Sequence, residues 1–218
     1  MLLLERFKAG FRRHRHNAYW VESVPLNFDS DTSRCTLLLL LNGPPAAGKT
    51  SLAQRWIADR RLALNLDLDQ LWPLLGQWQA DLDATGRTAR RLALAMARTQ
   101  LAIGQDVIVP QYLGRPEFID ELADLGGPAF RHVVLLPPFA VVAARFHDRA
   151  EHPVAAAGRA RFDDPDGLRQ LYDRVLELAA ARPEARVIEL VGDEPLAVVH
   201  QRLELTLAGY PTESGQSG

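Results

Sequence analysis

The chain has 218 residues, 47% of them apolar and 24% charged, with a formal net charge of -2 and one cysteine, Cys35. That length suits a single domain with a sizeable core, and the charge balance gives no electrostatic case for a nucleic-acid partner. A lone thiol excludes an internal disulfide, and no apolar run approaches the roughly 18 residues that span a bilayer, so a cytoplasmic setting without membrane contact is expected.

Residues 1–35 read as an extension. Its opening Met1-Leu-Leu-Leu run is too short for the about 7–15-residue core of a signal peptide. A basic and aromatic stretch, Phe11 to Trp20, precedes the polar segment Asn27 to Arg34. Together they fit either a surface-binding arm or a helix and linker packed on the main domain. That domain is expected over 36–208, and a disordered tail over 209–218.

Thr36 to Asn42 is a continuous apolar run ending at a glycine loop, as expected of a strand buried on both faces. Helix is predicted over 50–60, and a second strand over 62–68, where polar positions alternate. An Ala- and Leu-rich helix over 88–103 stops near Gly104, followed by a strand over 106–110. Helix over 116–125 stops at Gly126-Gly127, and a strand at 132–136 leads to helix over 139–149. Asp164-Pro165 reads as a cap and first-turn proline opening a helix to about Arg182. A strand over 186–191 and a helix over 195–207 close the pattern. Alternating strands and helices predict an α/β fold, a five-stranded parallel sheet sandwiched by helices. Right-handed crossovers then put every strand's C-terminal end on one edge, where such sheets bind ligands.

The chemistry is concentrated after the first strand, at Gly43-Pro44-Pro45-Ala46-Ala47-Gly48-Lys49-Thr50, with Ser51 next. This matches the phosphate-loop pattern at every specified position and in the required strand–loop–helix setting. Glycines let backbone N–H groups turn inward as an anion nest, and the following helix adds its positive end. Lys49 would reach the β- and γ-phosphates of a nucleotide, Thr50 would complete a Mg²⁺ shell, and Ser51 would bond an inner phosphate. Of 25 basic residues only Lys8 and Lys49 are lysine. A chain this poor in lysine has kept a compact ammonium where a phosphate is met end-on.

At these residues the chain resembles the small P-loop kinases, the group of adenylate, shikimate and gluconate kinases and chloramphenicol phosphotransferase. The resemblance implies a nucleoside-monophosphate-kinase-like fold using ATP and Mg²⁺, with an arginine-bearing lid at about 149–163. It also implies an acidic residue after the second strand, and Asp69-Gln70-Leu71 looks most like the catalytic-base pattern. Asp67 would then serve metal-bound water. On an extended strand these two carboxylates share a side, about 6–7 Å apart; alternatively, Asp69 caps a helix beginning at Leu71.

No aspartate ends the third strand, so metal binding would rest on Thr50 and Asp67, while Gln111, Tyr112 and Arg115 face an acceptor or form a plain turn. Arg145 and Arg149, four apart on one helix face, are expected to stabilise the transferring phosphoryl group, with Arg159 and Arg161 on the lid. Trp72 and Trp78 would wall an acceptor pocket or simply pack. His147, His152 and His200 lack metal-ligand spacing.

The expected activity is transfer of the γ-phosphoryl group of ATP to a hydroxyl of a small molecule, metabolite or antibiotic, by a monomer or homodimer. Two other readings stand beside it: a nucleoside or nucleotide kinase using Arg87, Arg90 and Arg91, and a non-catalytic ATP-binding regulatory module.

Overall fold

The computed structural model describes residues 36–148 and 165–210. The extension, the expected lid, and with them Arg149, His152, Arg159 and Arg161 lie outside the described residues.

Four consecutive leucines make the first strand, β1 (Leu38–Asn42), and all of them are fully buried. Such a run needs apolar cover on both faces, which fixes β1 in the sheet interior. It pairs in parallel with β3 (Val107–Pro110) on one side and β4 (Phe130–Leu136) on the other. The short β2 (Leu64–Asn65) flanks β3, and β5 (Arg186–Glu189) flanks β4, giving the order β2-β3-β1-β4-β5.

Alternation of side chains sends Leu38 and Leu40 to one face, where α2 (Leu82–Ala102) and α3 (Pro116–Gly126) cover them. Ala89, Ala93 and Ala97 of α2 are spaced one turn apart and fully buried, so this helix lies close against the sheet. Leu39 and Leu41 meet the other layer, built from Leu52 and Trp56 of α1 (Lys49–Ala58) and Val199 and Leu203 of α6 (Leu196–Ala208). A smaller apolar group joins α4 (Phe139–Asp148) to α5 (Pro165–Ala180) through Val142, Leu168 and Tyr172. Among the described residues no helix is long and apolar enough to cross a membrane.

Three expectations need correction. The strand over 62–68 shrinks to Leu64–Asn65, with one more bond from the Leu66 N–H to the Ile108 carbonyl. Asp67 ends it: its carboxylate accepts the Asp69 N–H at 3.1 Å and turns the chain into a 3-10 turn, Leu68–Gln70. The extended geometry that put Asp67 and Asp69 on one side is therefore absent. So is a helix at Leu71 capped by Asp69; a second 3-10 turn, Trp72–Leu74, stands there.

The second correction is α2, which begins at Leu82 because the Asp81 carboxylate accepts the Ala84 N–H at 2.9 Å. The third is the tail. Gly209 closes α6, and the Tyr210 hydroxyl donates to the His132 carbonyl at 2.7 Å. The Arg131 and Arg186 guanidinium groups lie 4.9 and 5.5 Å from the Tyr210 ring centre, so the packed domain reaches at least residue 210.

His132 sits in β4, 1% exposed, and neither ring nitrogen has a hydrogen-bond partner among the described residues. Burial first, and the Arg182 charge second, push its pKa down to about 4, against the opposing pull of Glu184. The unfolded chain then binds the proton more readily, so stability falls as pH drops from about 6.5 towards 4. Replacing His132 by Leu is expected to raise stability at pH 5 by about 2 kcal/mol more than at pH 7.5. Urea unfolding of both proteins at the two pH values measures the difference.

Candidate active site

The phosphate loop leaves β1 at the C-terminal edge of the sheet and runs straight into α1. Its first residue, Gly43, has φ 153°, and a Cβ there would lie 2.4 Å from the Leu135 carbonyl oxygen of β4. Only glycine lets the chain pass that close to the neighbouring strand. Ala46 (φ 60°) and Gly48 (φ 95°) also take positive φ. That curl turns the loop over the start of α1, where the first turn carries no acidic side chain to cancel the positive helix end.

Lys49 is 9% exposed, and its ammonium donates to the carbonyls of Gly43 at 3.0 Å and Pro44 at 2.8 Å. It thus arches across the loop it belongs to, poised to exchange carbonyl oxygens for phosphate oxygens. Thr50 is half-buried and Ser51 exposed in the first turn of α1. Pro44 and Ala47 are buried, Pro45 half-buried.

Arg145, on α4, lies over this loop: its Nη1 is 3.8 Å from the position a Cβ at Gly48 would take. Its other terminal nitrogen is ion-paired with Asp193, in the connection between β5 and α6. The Asp193 side chain is 82% exposed and that of Arg145 31%, so the guanidinium is held at the loop while the carboxylate stays in water. Glu194 braces the same connection by accepting the Val191 N–H at 2.8 Å and pairing with Arg202.

On the opposite side of the loop, the ends of β2 and β3 bring Asp69 and Gln111 together. Both are half-buried, and the Gln111 Nε2 stands 3.5 Å from an Asp69 carboxylate oxygen. Tyr112 folds back over Gly114, its hydroxyl 2.5 Å from where a Cβ at 114 would be. Burial pushes the Tyr112 phenol up to about 12, with Arg174 pulling the other way, so it stays a neutral donor at physiological pH. Arg174 of α5 fixes this turn by donating to the Gly114 carbonyl at 3.0 Å. Arg115 is exposed at the N-cap of α3.

Trp72 is half-buried, edge-on to Trp78 with ring centres 5.9 Å apart. Its indole also reaches 3.7 Å from the Cβ position at Gly86 of α2, beside Arg90. It therefore packs against α2 as one of an aromatic pair. Arg87 and Arg91 are exposed on α2, and Arg90 donates to the Gly86 carbonyl at 3.2 Å.

Asp67 is committed to its turn through the Asp69 N–H. Among the described residues no group of three or more His, Cys, Asp or Glu side chains could hold a metal ion. His147 is exposed, and His200 lies 3.3 Å from Glu204.

Three residues of this region escape motif reading. Asn42 is fully buried at the end of a leucine run, and a polar amide in that place is itself a signal. Asp193 and Arg174 carry none, because each acts on a residue far off in sequence.

A parallel sheet in this order, with a glycine loop and lysine between its central strand and the next helix, defines the fold of the small P-loop kinases. The model of the AAA domain family matches residues 38–171, more than half of the chain, and the protein belongs to that family. Solved structures share the fold. A provisionally named kinase from Chloroflexus aurantiacus j-10-fl aligns with a TM-score of 0.58 at 19% identity, covering 81% of this chain and 98% of that one. A sugar kinase from Janibacter sp. HTCC2649 gives 0.56 at 19% identity, covering 79% and 95%. A gluconokinase from Sinorhizobium meliloti 1021 gives 0.51 at 19% identity, covering 81% and 98%. No curated protein matches the chain.

The close approach at Gly43 gives a direct test. Gly43→Ala is expected to lower stability by about 2–4 kcal/mol, since the added methyl meets backbone rather than a movable side chain. Gly192→Ala, in open space without a positive φ, should stay within about 0.5 kcal/mol. Denaturant unfolding of the two variants provides the comparison.

Proposed function

We propose that the protein is an ATP-dependent phosphotransferase that moves the γ-phosphoryl group to a hydroxyl of a small molecule. The observation that carries this reading is the placement of Asp69 and Gln111 on one flank of the phosphate loop and Arg145 on the other. A triphosphate lying in the nest would have a cation over one side and a carboxylate facing its far end.

In this reading Lys49 leaves the Gly43 and Pro44 carbonyls for the β- and γ-phosphates, and the nest amides hold the rest. The acceptor hydroxyl oxygen forms a bond to the γ-phosphorus while the bond to the β–γ bridging oxygen breaks, releasing ADP. Asp69 takes the hydroxyl proton, and Gln111 and Tyr112 hold the acceptor beside it. Arg145 meets charge gathering on the transferred group. Mg²⁺, a hard cation, would be held by the Thr50 hydroxyl, with Asp67 reaching it through water, and would neutralise phosphate charge. Names among the structural relatives, a sugar kinase and a gluconokinase, support polyhydroxylated acceptors as the first to screen.

Coupled ADP release over a panel of sugars, sugar acids, polyols, hydroxylated antibiotics and nucleoside monophosphates tests the assignment. Asp69→Asn should lower kcat at least about 100-fold and leave nucleotide affinity intact, while Lys49→Ala should weaken both. Full turnover in both variants would remove the assigned roles.

The Arg145–Asp193 pair yields a separate expectation. An exposed ion pair is worth about 0–1 kcal/mol, and a phosphate must compete with Asp193 for the guanidinium. Asp193→Asn is therefore expected to tighten nucleotide binding by up to about fivefold at low salt, and Arg145→Ala to weaken it. Titration at two ionic strengths reads this out; weaker binding by Asp193→Asn would make the carboxylate a support for Arg145 instead.

A further inference from the structure

Asn42 joins the two halves of the site. Its side chain is fully buried, at the C-terminal end of the central strand, directly before the phosphate loop. The amide oxygen accepts the N–H of Gly43 at 2.8 Å and the N–H of Leu113 at 3.0 Å. The amide nitrogen donates to the Leu113 carbonyl at 3.3 Å. One side chain thus grips the first residue of the phosphate loop and both polar groups of a residue in the Gln111–Arg115 turn.

Backbone pairing between β1 and the chain after β3 ends with the Gln111 N–H on the Leu41 carbonyl, at 3.1 Å. Beyond that point the two chains diverge into loops, and Asn42 supplies the missing rungs with a side chain. A leucine here would continue the five before it with a side chain of the same branching. It would leave three buried backbone groups without these bonds, a loss of the kind that costs most in an interior.

What these bonds connect matters more than their number. Gly43 is pinned on one side by the Leu135 carbonyl, and its own carbonyl accepts from the Lys49 ammonium. When Lys49 transfers to a phosphate, Gly43 is released at its carbonyl while Asn42 still holds its N–H. Leu113 is buried in the core below α3. Its neighbours are Tyr112, folded over Gly114, and Gly114, whose carbonyl is held by Arg174.

We infer that Asn42 is a positioning residue that transmits occupancy of the phosphate loop to the acceptor-side turn, through the Gly43 N–H and Leu113. This rests on the nucleotide reading above and adds a route by which a bound triphosphate orders Gln111 and Tyr112 before the acceptor arrives. The coupling is reciprocal: an acceptor that orders the turn tightens the loop on the nucleotide by the same factor.

The test is amide hydrogen exchange on the full-length chain, with and without the magnesium complex of the non-hydrolysable imido analogue of ATP. In the wild type, the analogue should slow exchange at Gly48–Ser51 and also, by at least about fivefold, at Leu113. In Asn42→Leu, protection at Gly48–Ser51 should persist while the response at Leu113 falls below about twofold. A merely structural asparagine would change the basal exchange of both loops but not the ratio between analogue-bound and free protein at Leu113.

An unresponsive Leu113 in the wild type, or an equal response in the variant, overturns the inference and leaves the nucleotide reading standing. Failure of the analogue to protect either loop in the wild type overturns both. If Asn42→Leu does not fold, Asn42→Ala, which also removes the bonds to Gly43 and Leu113, takes its place in the same comparison with the same expected loss at Leu113.

Discussion

The chain can leave its central strand only where no side chain exists. At Gly43 the backbone passes so close to the Leu135 carbonyl that a single methyl would overlap it. That contact fixes the direction in which the phosphate loop departs. The leucines of β1 hold one end of this bend and the first turn of α1 holds the other. The ammonium of Lys49 closes the arch from inside. A loop whose path is fixed in this way would meet an anion without first having to order its own backbone, which is where such sites gain their advantage over water.

Strand order then divides the labour. Because β1 stands between β3 and β4, the phosphate loop has a different neighbour on each side. Towards β3 and β2 the strand ends deliver Gln111 and Asp69, a neutral amide beside a carboxylate. Towards β4 and β5 they deliver α4 with Arg145 and the connection with Asp193. In the proposed reaction the first flank would take a hydroxyl that must lose a proton, and the second would counter phosphate charge. The sheet below is rigid and apolar, and the groups that have to move sit on its edge in loops and half-exposed side chains. Asn42 is the exception: it is as buried as the leucines before it, yet both residues it contacts lie on loops at that edge.

Much of this was legible in the residue order. A leucine run followed by a glycine loop and a helix has few alternatives, and the phosphate loop and sheet class follow from local patterns. Side-chain decisions at element ends were harder to see. Asp67 captures a backbone N–H two residues on and converts a strand into a turn; the alternating pattern around it reads as strand because periodicity carries no information about that capture. Asp81 does the opposite for α2, starting a helix ahead of its alanine stripe. Tyr210, near the chain's polar end, is anchored by the β4 backbone and by arginines from two strands. Contacts of that kind link residues many positions apart, so no window along the chain contains them. The pairing of Arg145 with Asp193 belongs to the same category.

The central claim is that this bend of backbone receives a nucleoside triphosphate. Calorimetric titration of the full-length protein with magnesium-ATP tests it most directly. Saturable binding in roughly the micromolar to millimolar range, lost or greatly weakened in Lys49→Ala, is the predicted result. Absence of measurable binding to ATP and to other purine triphosphates, or affinity indifferent to Lys49, would contradict the account.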